Sequence, residues 1–201
     1  MGELNIFNFT DLLKRFKCKI YVESGTGIGV CLKHMLNYNF DEYHSIDLDP
    51  KLIEKAKENF KEKNIKFYNS FSTEALEEIV PKLPKDVPVF FFLDAHFPDS
   101  DFNGRSYEES IKEYKSQALP LFDEIDIIKK HRDISKDIFV IDDWKIYDKD
   151  HTYQYPEWDH YDLQNSLGIN SSKHEILKFF EKTHNFELRL EHQGFLFIIP
   201  K

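Results

Sequence analysis

Short apolar runs alternate along the first two-thirds of the chain with longer stretches whose apolar residues lie three or four positions apart. The runs predict strands buried on both faces, and the wider spacing predicts amphipathic helices. The predicted strands are 20–24, 43–47, 65–68, 87–93 and 138–141. The predicted helices are 8–16, 30–36, 49–60, 73–80 and 107–130, the last interrupted near Pro120. This alternation implies parallel βαβ units with right-handed crossovers.

The last third of the chain departs from that alternation. Ser172 and Glu175 have the spacing of a capping box, which predicts a helix running to about Lys182. Residues 186–191 then alternate between apolar and polar, and residues 195–199 are continuously apolar after a turn. This pattern predicts an antiparallel hairpin that closes the sheet. Because no repeat or linker interrupts the chain, we predict one domain over residues 1–201.

The first strand ends in an acid and turns through three alternate glycines. Gly25, Gly27 and Gly29 follow Glu23, and glycine permits close approach of the backbone to a ligand. A dinucleotide-binding turn has the spacing G-x-G-x-x-G, so the tighter spacing here favours a nucleoside over a pyrophosphate. Asp47 ends the next strand, eighteen positions after Gly29 (47 − 29), close to the offset of about 20 expected for an acid that binds ribose hydroxyls.

This combination resembles the first motif of class I S-adenosylmethionine (SAM) dependent methyltransferases. The resemblance implies a Rossmann-like α/β fold, a doubly wound and mostly parallel seven-stranded sheet that ends in an antiparallel hairpin. It also implies SAM as cofactor, with Phe71 placed to stack on adenine. The implied cofactor-binding residues are Glu23, Ser24, Gly25, Thr26, Gly27, Gly29, Asp47, Leu48, Phe71 and Asp94.

The fourth and fifth strands end in acids. Asp94 is followed two residues later by His96, and Asp142 by Asp143, with no Lys or Arg in either motif. Three converging carboxylates would repel one another unless a cation joined them, and oxygen ligands suit Mg²⁺ or Ca²⁺. The two motifs resemble those of metal-dependent sugar O-methyltransferases of the macrocin type, which implies Asp94, Asp142 and Asp143 as metal ligands. An acid that only caps a helix or bonds loop amides is the alternative.

We predict that Asp94, His96 and Asp143 perform the catalysis. An imidazole titrates near neutral pH, so His96 is the candidate general base for an acceptor hydroxyl. A purely structural histidine is the alternative at this position.

Two polar insertions follow strands at the carboxyl edge, where doubly wound sheets bind ligands. Residues 97–106 form the first and residues 144–171 the second. The second is rich in aromatic side chains, which argues against disorder, and we interpret it as a cover over the acceptor site. An oligomer contact or a plain surface excursion is the alternative. Its aromatic residues are Trp144, Tyr147, Tyr153, Tyr155, Trp158 and Tyr161.

Composition narrows the possible partners. A net charge of −9 without a basic block argues against nucleic acid, and favours a small or neutral substrate. The two cysteines do not make a disulfide framework. The sequence shows no signal peptide and no apolar run long enough to span a membrane, so we predict a soluble cytoplasmic protein with no membrane partner.

The sequence therefore predicts a SAM-dependent methyltransferase that modifies a hydroxyl of a small polar acceptor, a sugar or glycan precursor. A metal-independent N- or carboxyl-methyltransferase is one alternative. A SAM-binding module without catalysis is another, although the acid cluster argues against it. An NAD-dependent oxidoreductase is disfavoured by the glycine spacing. The sequence leaves the choice between a monomer and a homo-oligomer open.

Overall fold

A computed structural model describes residues 3–61, 63–148 and 173–201 and contains a seven-stranded sheet. Its strands are β1 (Ile20–Ser24), β2 (Glu42–Asp47), β3 (Ile65–Asn69), β4 (Val89–Leu93), β5 (Ile138–Ile141), β6 (His184–Arg189) and β7 (Phe195–Pro200). Their order is β3-β2-β1-β4-β5-β7-β6. The first five strands pair in parallel, and β7 runs antiparallel to both β5 and β6. The predicted α/β fold class is confirmed.

Helices cover both faces of this sheet. They are α1 (Thr10–Phe16), α2 (Val30–Met35), α3 (Pro50–Asn59), α4 (Ser72–Ile79), α5 (Ser100–Asn103), α6 (Tyr107–Tyr114), α7 (Leu121–His131) and α8 (Lys173–Lys178). Asp49 caps α3 as predicted, because its Oδ1 accepts the N–H of Lys51 at 2.8 Å. In the part of the chain that the structure describes, no helix is both long and apolar enough to cross a membrane.

The predicted interruption of the 107–130 segment near Pro120 is confirmed, because a 3-10 turn at Lys115–Ala118 and then Pro120 separate α6 from α7. The structure differs from the predicted elements in other places. The final helix ends at Lys178, four residues earlier than predicted, and β6 begins at His184. Helix α5 lies inside the segment that was predicted as a polar insertion. Ser172, the predicted cap of α8, lies outside the described residues.

The core consists of two apolar layers on opposite faces of the sheet. Alternate side chains of β4 enter opposite layers, Phe91 with α4 and α7, and Phe90 and Phe92 with α1 and α2. All three are fully buried, as expected for a central parallel strand. Cys18 and Cys31 are free and buried, in agreement with the absence of a disulfide framework.

Candidate active site

A cavity of about 230 Å³ lies at the carboxyl ends of β1, β2, β4 and β5. The strand order reverses between β1 and β4, and ligands of open α/β sheets bind at such a switch point. Most of the predicted site residues line this cavity. From the β1–β2 side come Gly25, Thr26, Gly27, Asp47, Leu48 and Phe71, and from the β4–β5 side come Asp94, His96 and Asp143. Glu23, Ser24, Gly29 and Asp142 are not among the lining residues.

The three glycines of the first turn have different tasks. A Cβ on Gly25 would lie 2.5 Å from the carbonyl oxygen of Asp94, and one on Gly29 would lie 2.9 Å from the ring of Phe60. The protein's own packing therefore requires glycine at these two positions. The sequence had suggested that glycine there lets the backbone approach a ligand. Gly27 faces the cavity, and the nearest atom to its hypothetical Cβ is on the Phe102 ring at 3.4 Å.

Asp47 is held rigidly at the end of β2. Its Oδ2 accepts the N–H of Gly27 at 2.8 Å, and its Oδ1 accepts the N–H of Asp49 at 2.9 Å. Burial raises the pKa of this carboxyl, although the two backbone hydrogen bonds oppose the rise. The carboxylate keeps a lone pair on each oxygen for a ligand, since each oxygen can accept more than one hydrogen bond.

Glu23 lies beneath the turn, fully buried. Its carboxylate accepts hydrogen bonds from Tyr21 Oη and Ser45 Oγ, both at 2.6 Å, and Ser45 Oγ lies 2.6 Å from Thr26 Oγ1. Burial raises the pKa of Glu23 to about 7. Glu23 therefore braces the glycine turn through two hydroxyl groups. Ser24 is equally buried, and its carbonyl accepts the N–H of Asp94 at 3.1 Å.

His96 lies between two carboxylates on the other side of the cavity. Its Nε2 is 2.7 Å from Asp143 Oδ2 and 3.5 Å from Asp94 Oδ1. Asp143 is buried, which opposes ionisation, but the charge of His96 and its hydrogen bond hold the pKa of Asp143 below its usual range. The structure thus brings the three predicted catalytic residues together. It places an imidazole where the sequence suggested that a metal ion would balance the acids.

Asp142 is buried and does not line the cavity. Its Oδ1 accepts the N–H of Asp143 at 2.8 Å, while Asp142 Oδ2 and Asp143 Oδ1 have no hydrogen-bond partner in the described structure. Burial, followed by the charge of Asp143, raises the pKa of Asp142 to about 7. Over residues 3–61, 63–148 and 173–201, no three His, Cys, Asp or Glu side chains are arranged to hold a metal ion.

Sequence analysis missed one buried acid beside this site. Glu124 on α7 is 1% exposed, and burial raises its pKa to about 7, although the Ser72 and Ser24 hydroxyls and the charge of His96 oppose the rise. It occupies a core position of the helix, in line with Leu121 and Ile128. An acid on the apolar face of an amphipathic helix was the signal that could have found it.

The second insertion is described only as far as residue 148. Trp144 and Tyr147 are 1% and 3% exposed, pack in the layer that contains α4 and α7, and do not line the cavity. These two aromatics are therefore core residues, although the sequence suggested that they cover the acceptor. The other four predicted members, Tyr153, Tyr155, Trp158 and Tyr161, lie outside the described residues.

Solved structures of methyltransferases resemble this chain in fold. An SAH-bound methyltransferase, PaMTH1 from Podospora anserina, aligns with a TM-score of 0.56 at 14% identity, over 96% of this chain and 76% of that chain. An O-methyltransferase from Bacillus cereus in complex with SAH aligns with a TM-score of 0.56 at 11% identity, over 96% and 79% of the two chains. The O-methyltransferase TomG from Streptomyces achromogenes, involved in tomaymycin synthesis and in complex with SAM, aligns with a TM-score of 0.54 at 16% identity, over 96% of this chain and 78% of that chain.

The chain has the fold of these methyltransferases. Identities of 11% to 16% make this a likeness of fold alone. No protein-family profile and no curated protein sequence matches the chain.

Proposed function

We propose that this protein is a SAM-dependent methyltransferase that transfers a methyl group to a hydroxyl of a small polar acceptor. The observation that carries the proposal is one cavity with two unlike sides. On one side a glycine turn and Asp47 are fixed by backbone hydrogen bonds, and on the other His96 joins Asp94 and Asp143. The shared fold supports the assignment, since the Bacillus cereus enzyme holds SAH and TomG holds SAM.

The residues on the β1–β2 side fit an adenosyl group. Asp47 presents a carboxylate to which two ribose hydroxyls can donate, and Gly27 has no side chain to project into the cavity beside the Phe102 ring. Phe71 lines the same side and makes a T-shaped contact with Tyr114, with ring centroids 6.1 Å apart, and an aromatic ring at this place can stack on adenine. Glu23 supports this side from below through Ser45 and Thr26.

The residues on the β4–β5 side fit proton transfer from an acceptor. SAM supplies an electrophilic methyl group: the acceptor oxygen forms a bond to its carbon, and the carbon–sulfur bond breaks with its electron pair left on sulfur. The proton of the acceptor hydroxyl has to move to a group of the protein. His96 and Asp143, joined at 2.7 Å, form a pair that can take it, with Asp143 orienting the ring and stabilising its charged form.

A divalent ion is the second candidate for this task. The unpartnered oxygens Asp142 Oδ2 and Asp143 Oδ1 are of the type that Mg²⁺ or Ca²⁺ prefers. The described arrangement does not fit an ion, however, because His96 Nε2 lies between Asp94 and Asp143, and Asp142 does not line the cavity. We therefore derive no step through a metal and keep the ion as an outcome of the experiment below.

The charge of the cavity supports a neutral hydroxylated acceptor such as a sugar. In the described structure the lining contains six carboxylates but no Lys or Arg: Glu3, Asp47, Asp49, Asp94, Asp99 and Asp143. In sequence, residues 149–172 add one lysine against four acids. Phosphate groups of a nucleotide-linked sugar would meet repulsion there, so we favour a free sugar or a glycan precursor without phosphate.

The test combines calorimetry with turnover. SAH should bind the purified protein, and a panel of hydroxylated acceptors, sugars first, should yield methylated product with and without EDTA. Binding without turnover on any acceptor would favour the non-catalytic SAM-binding module. Methylation of amines or carboxylates alone would favour the N- or carboxyl-methyltransferase. Loss of turnover in EDTA, restored by Mg²⁺, would return the ion to the mechanism.

Replacing Tyr153, Tyr155 or Trp158 with alanine tests the proposed acceptor cover. We expect each variant to raise the KM for the acceptor and to leave SAH affinity unchanged, because aromatic faces pack well on sugar rings. If acceptor kinetics stay as in wild type and the oligomeric state changes, the segment is an oligomer contact. Two buried free thiols suit an enzyme of the reducing cytoplasm, where we propose that it acts.

A further inference from the structure

Helix α5 places a phenylalanine across the proposed cofactor turn. The Phe102 ring lies 3.4 Å from the position that a Gly27 Cβ would occupy, and it lines the cavity while 41% exposed. Ile28, also at the cavity, is 46% exposed. Of the five large apolar side chains that are exposed in the described structure, two therefore stand at the mouth of this one cavity. Exposed apolar side chains grouped at a cleft are typical of a surface that a ligand covers.

Among the described side chains of α5, Asn103 ties the helix to the opposite wall. Asn103 Nδ2 donates to Asp49 Oδ2 at 3.2 Å and to Asp99 Oδ1 at 3.1 Å. Asp49 belongs to the other side of the mouth, because it caps the start of α3. The bond between Asn103 and Asp49 is exposed, so water can replace it at little cost.

Both ends of α5 are attached at Asp99. Before the helix, the N–H of Phe97 donates to the carbonyl of Ala118 at 2.7 Å, and Asp99 Oδ2 accepts from Tyr114 Oη at 2.5 Å. After it, Gly104 has φ +73° with nothing within 4 Å of its hypothetical Cβ, and the N–H of Arg105 donates to the carbonyl of Asp99 at 3.1 Å. Helix α5 is therefore part of a short loop on one fixed base, and such a loop can swing as a unit when its contacts with the opposite wall open.

The cavity is smaller than a typical cofactor site, which favours a wall that can move. Its volume is about 230 Å³, whereas sites for small-molecule ligands and cofactors have volumes of about 300–1,000 Å³. The contacts above make α5 a wall with an apolar contact to Gly27 and one exposed hydrogen bond to Asp49. We propose that α5 is a gate for the cofactor, and that Phe102 and Asn103 set the rates at which SAM enters and SAH leaves. The proposal rests on the proposed function and adds two cofactor-contacting residues to it.

The experiment measures association and dissociation rates of SAH by stopped-flow fluorescence in the full-length protein. Phe102→Ala removes the ring over Gly27, and Asn103→Ala removes the bond to Asp49. We expect both variants to bind and release SAH faster than wild type, each rate rising about three- to tenfold, because the gate opens more often. Asn103→Asp should act at least as strongly, since it places a third carboxylate beside Asp49 and Asp99.

Phe186→Ala is the matched control, because Phe186 is 40% exposed on the edge strand β6, away from the cavity. Its rates should equal those of wild type. Unchanged rates in both Phe102→Ala and Asn103→Ala would overturn the gate. Faster release with unchanged association would also overturn it, because α5 would then be a fixed wall that only contacts the ligand. If wild-type protein does not bind SAH at all, the proposed function fails first and the gate with it.

Discussion

The two sides of the cavity satisfy their polar groups in opposite ways. On the β1–β2 side, both oxygens of Asp47 accept backbone N–H groups, and the positive φ angles of the turn fall on glycines. On the β4–β5 side, Asp142 and Asp143 each bury an oxygen that has no partner in the described structure, and Asp143 itself has φ +49°. Left-handed backbone is unfavourable for an aspartate, and a buried unpaired oxygen costs free energy.

This difference agrees with the two proposed roles, cofactor binding on the β1–β2 side and chemistry on the β4–β5 side. A binding surface works best when it is rigid and complete before the ligand arrives, because little free energy is then lost in ordering it. A site that must gain and lose a proton needs groups whose charges are not fully compensated, and such strain collects at functional sites. We therefore expect changes on the β1–β2 side to alter folding or affinity, and changes on the β4–β5 side to alter turnover.

The largest effect should come from Gly25→Ala, which breaks the junction between the two sides. The new Cβ would lie 2.5 Å from the backbone oxygen of Asp94 and at φ +83°, so β1 and β4 would have to separate. We expect a loss of stability above about 4 kcal/mol, or no folded protein. Gly104→Ala is the control at φ +73° with open space, and it should cost only about 1 kcal/mol. Similar thermal midpoints for the two variants would contradict the packing argument.

His96→Ala and Asp143→Asn test the β4–β5 side, where we propose that the proton transfer occurs. We expect kcat to fall by about 10²–10⁴-fold for His96→Ala, the range typical of a lost general base, with SAH affinity unchanged. The loss of activity at acid pH should also disappear in this variant, because that loss would report protonation of His96. Asp143→Asn should lower kcat less, since it removes the partner of the imidazole and not the base. A full rate in both variants would leave the acid cluster without a catalytic role.

Asp47→Ala and Gly27→Val test the β1–β2 side, where we propose that the cofactor binds. Removing the carboxylate should weaken SAH binding by about 1.5–3 kcal/mol, the value of hydrogen bonds to a charged group. Gly27→Val should abolish binding, because its side chain would enter the cavity beside the Phe102 ring, and at φ +52° it should also cost some stability. Calorimetry of both variants checks this, with circular dichroism as the measure of folding. Wild-type affinity in Gly27→Val would exclude this turn as the cofactor site.

The sequence predicted the sheet well because its signals are local. Strand β5 was predicted with the bounds that the structure shows, since its apolar run and the acids that follow mark both ends. Helix α5 was missed because four residues are too short for any apolar period. The tasks of Gly25 and Gly29 could not be predicted either, because both depend on which distant atom lies above the Cα.

The acid cluster was predicted in composition but not in arrangement. Parallel pairing of β4 and β5 brings Asp94 and Asp143 together, and that follows from the strand pattern. Whether an imidazole or an ion lies between them depends on side-chain conformation, which the strand pattern does not encode. Glu124 was missed because the pattern of α7 does not show that its apolar face packs beneath the site.

The smallest effect should come from Glu124→Gln. This variant measures how much a buried charge beneath the β4–β5 side lowers the free energy of unfolding. Burial raises the pKa of Glu124 from 4.5 to about 7 in the folded protein. Below pH 4.5 the side chain is protonated in both the folded and the unfolded state, and its contribution to stability is complete. As the pH rises towards 7 the unfolded chain loses the proton and the folded chain keeps it, so the free energy of unfolding falls. Glutamine has no proton to lose. The free energy of unfolding of the variant should therefore rise relative to that of wild type across this window, by on the order of 2 kcal/mol between pH 5 and pH 8.

Urea unfolding at the two pH values measures this difference. Glu58→Gln is the control, because Glu58 is exposed on α3, and its stability should follow that of wild type at both pH values. The contradicting outcome is a difference in unfolding free energy between Glu124→Gln and wild type that is equal at pH 5 and pH 8. The folded protein would then compensate the charge of Glu124, and the β4–β5 side would bury less uncompensated charge than proposed above.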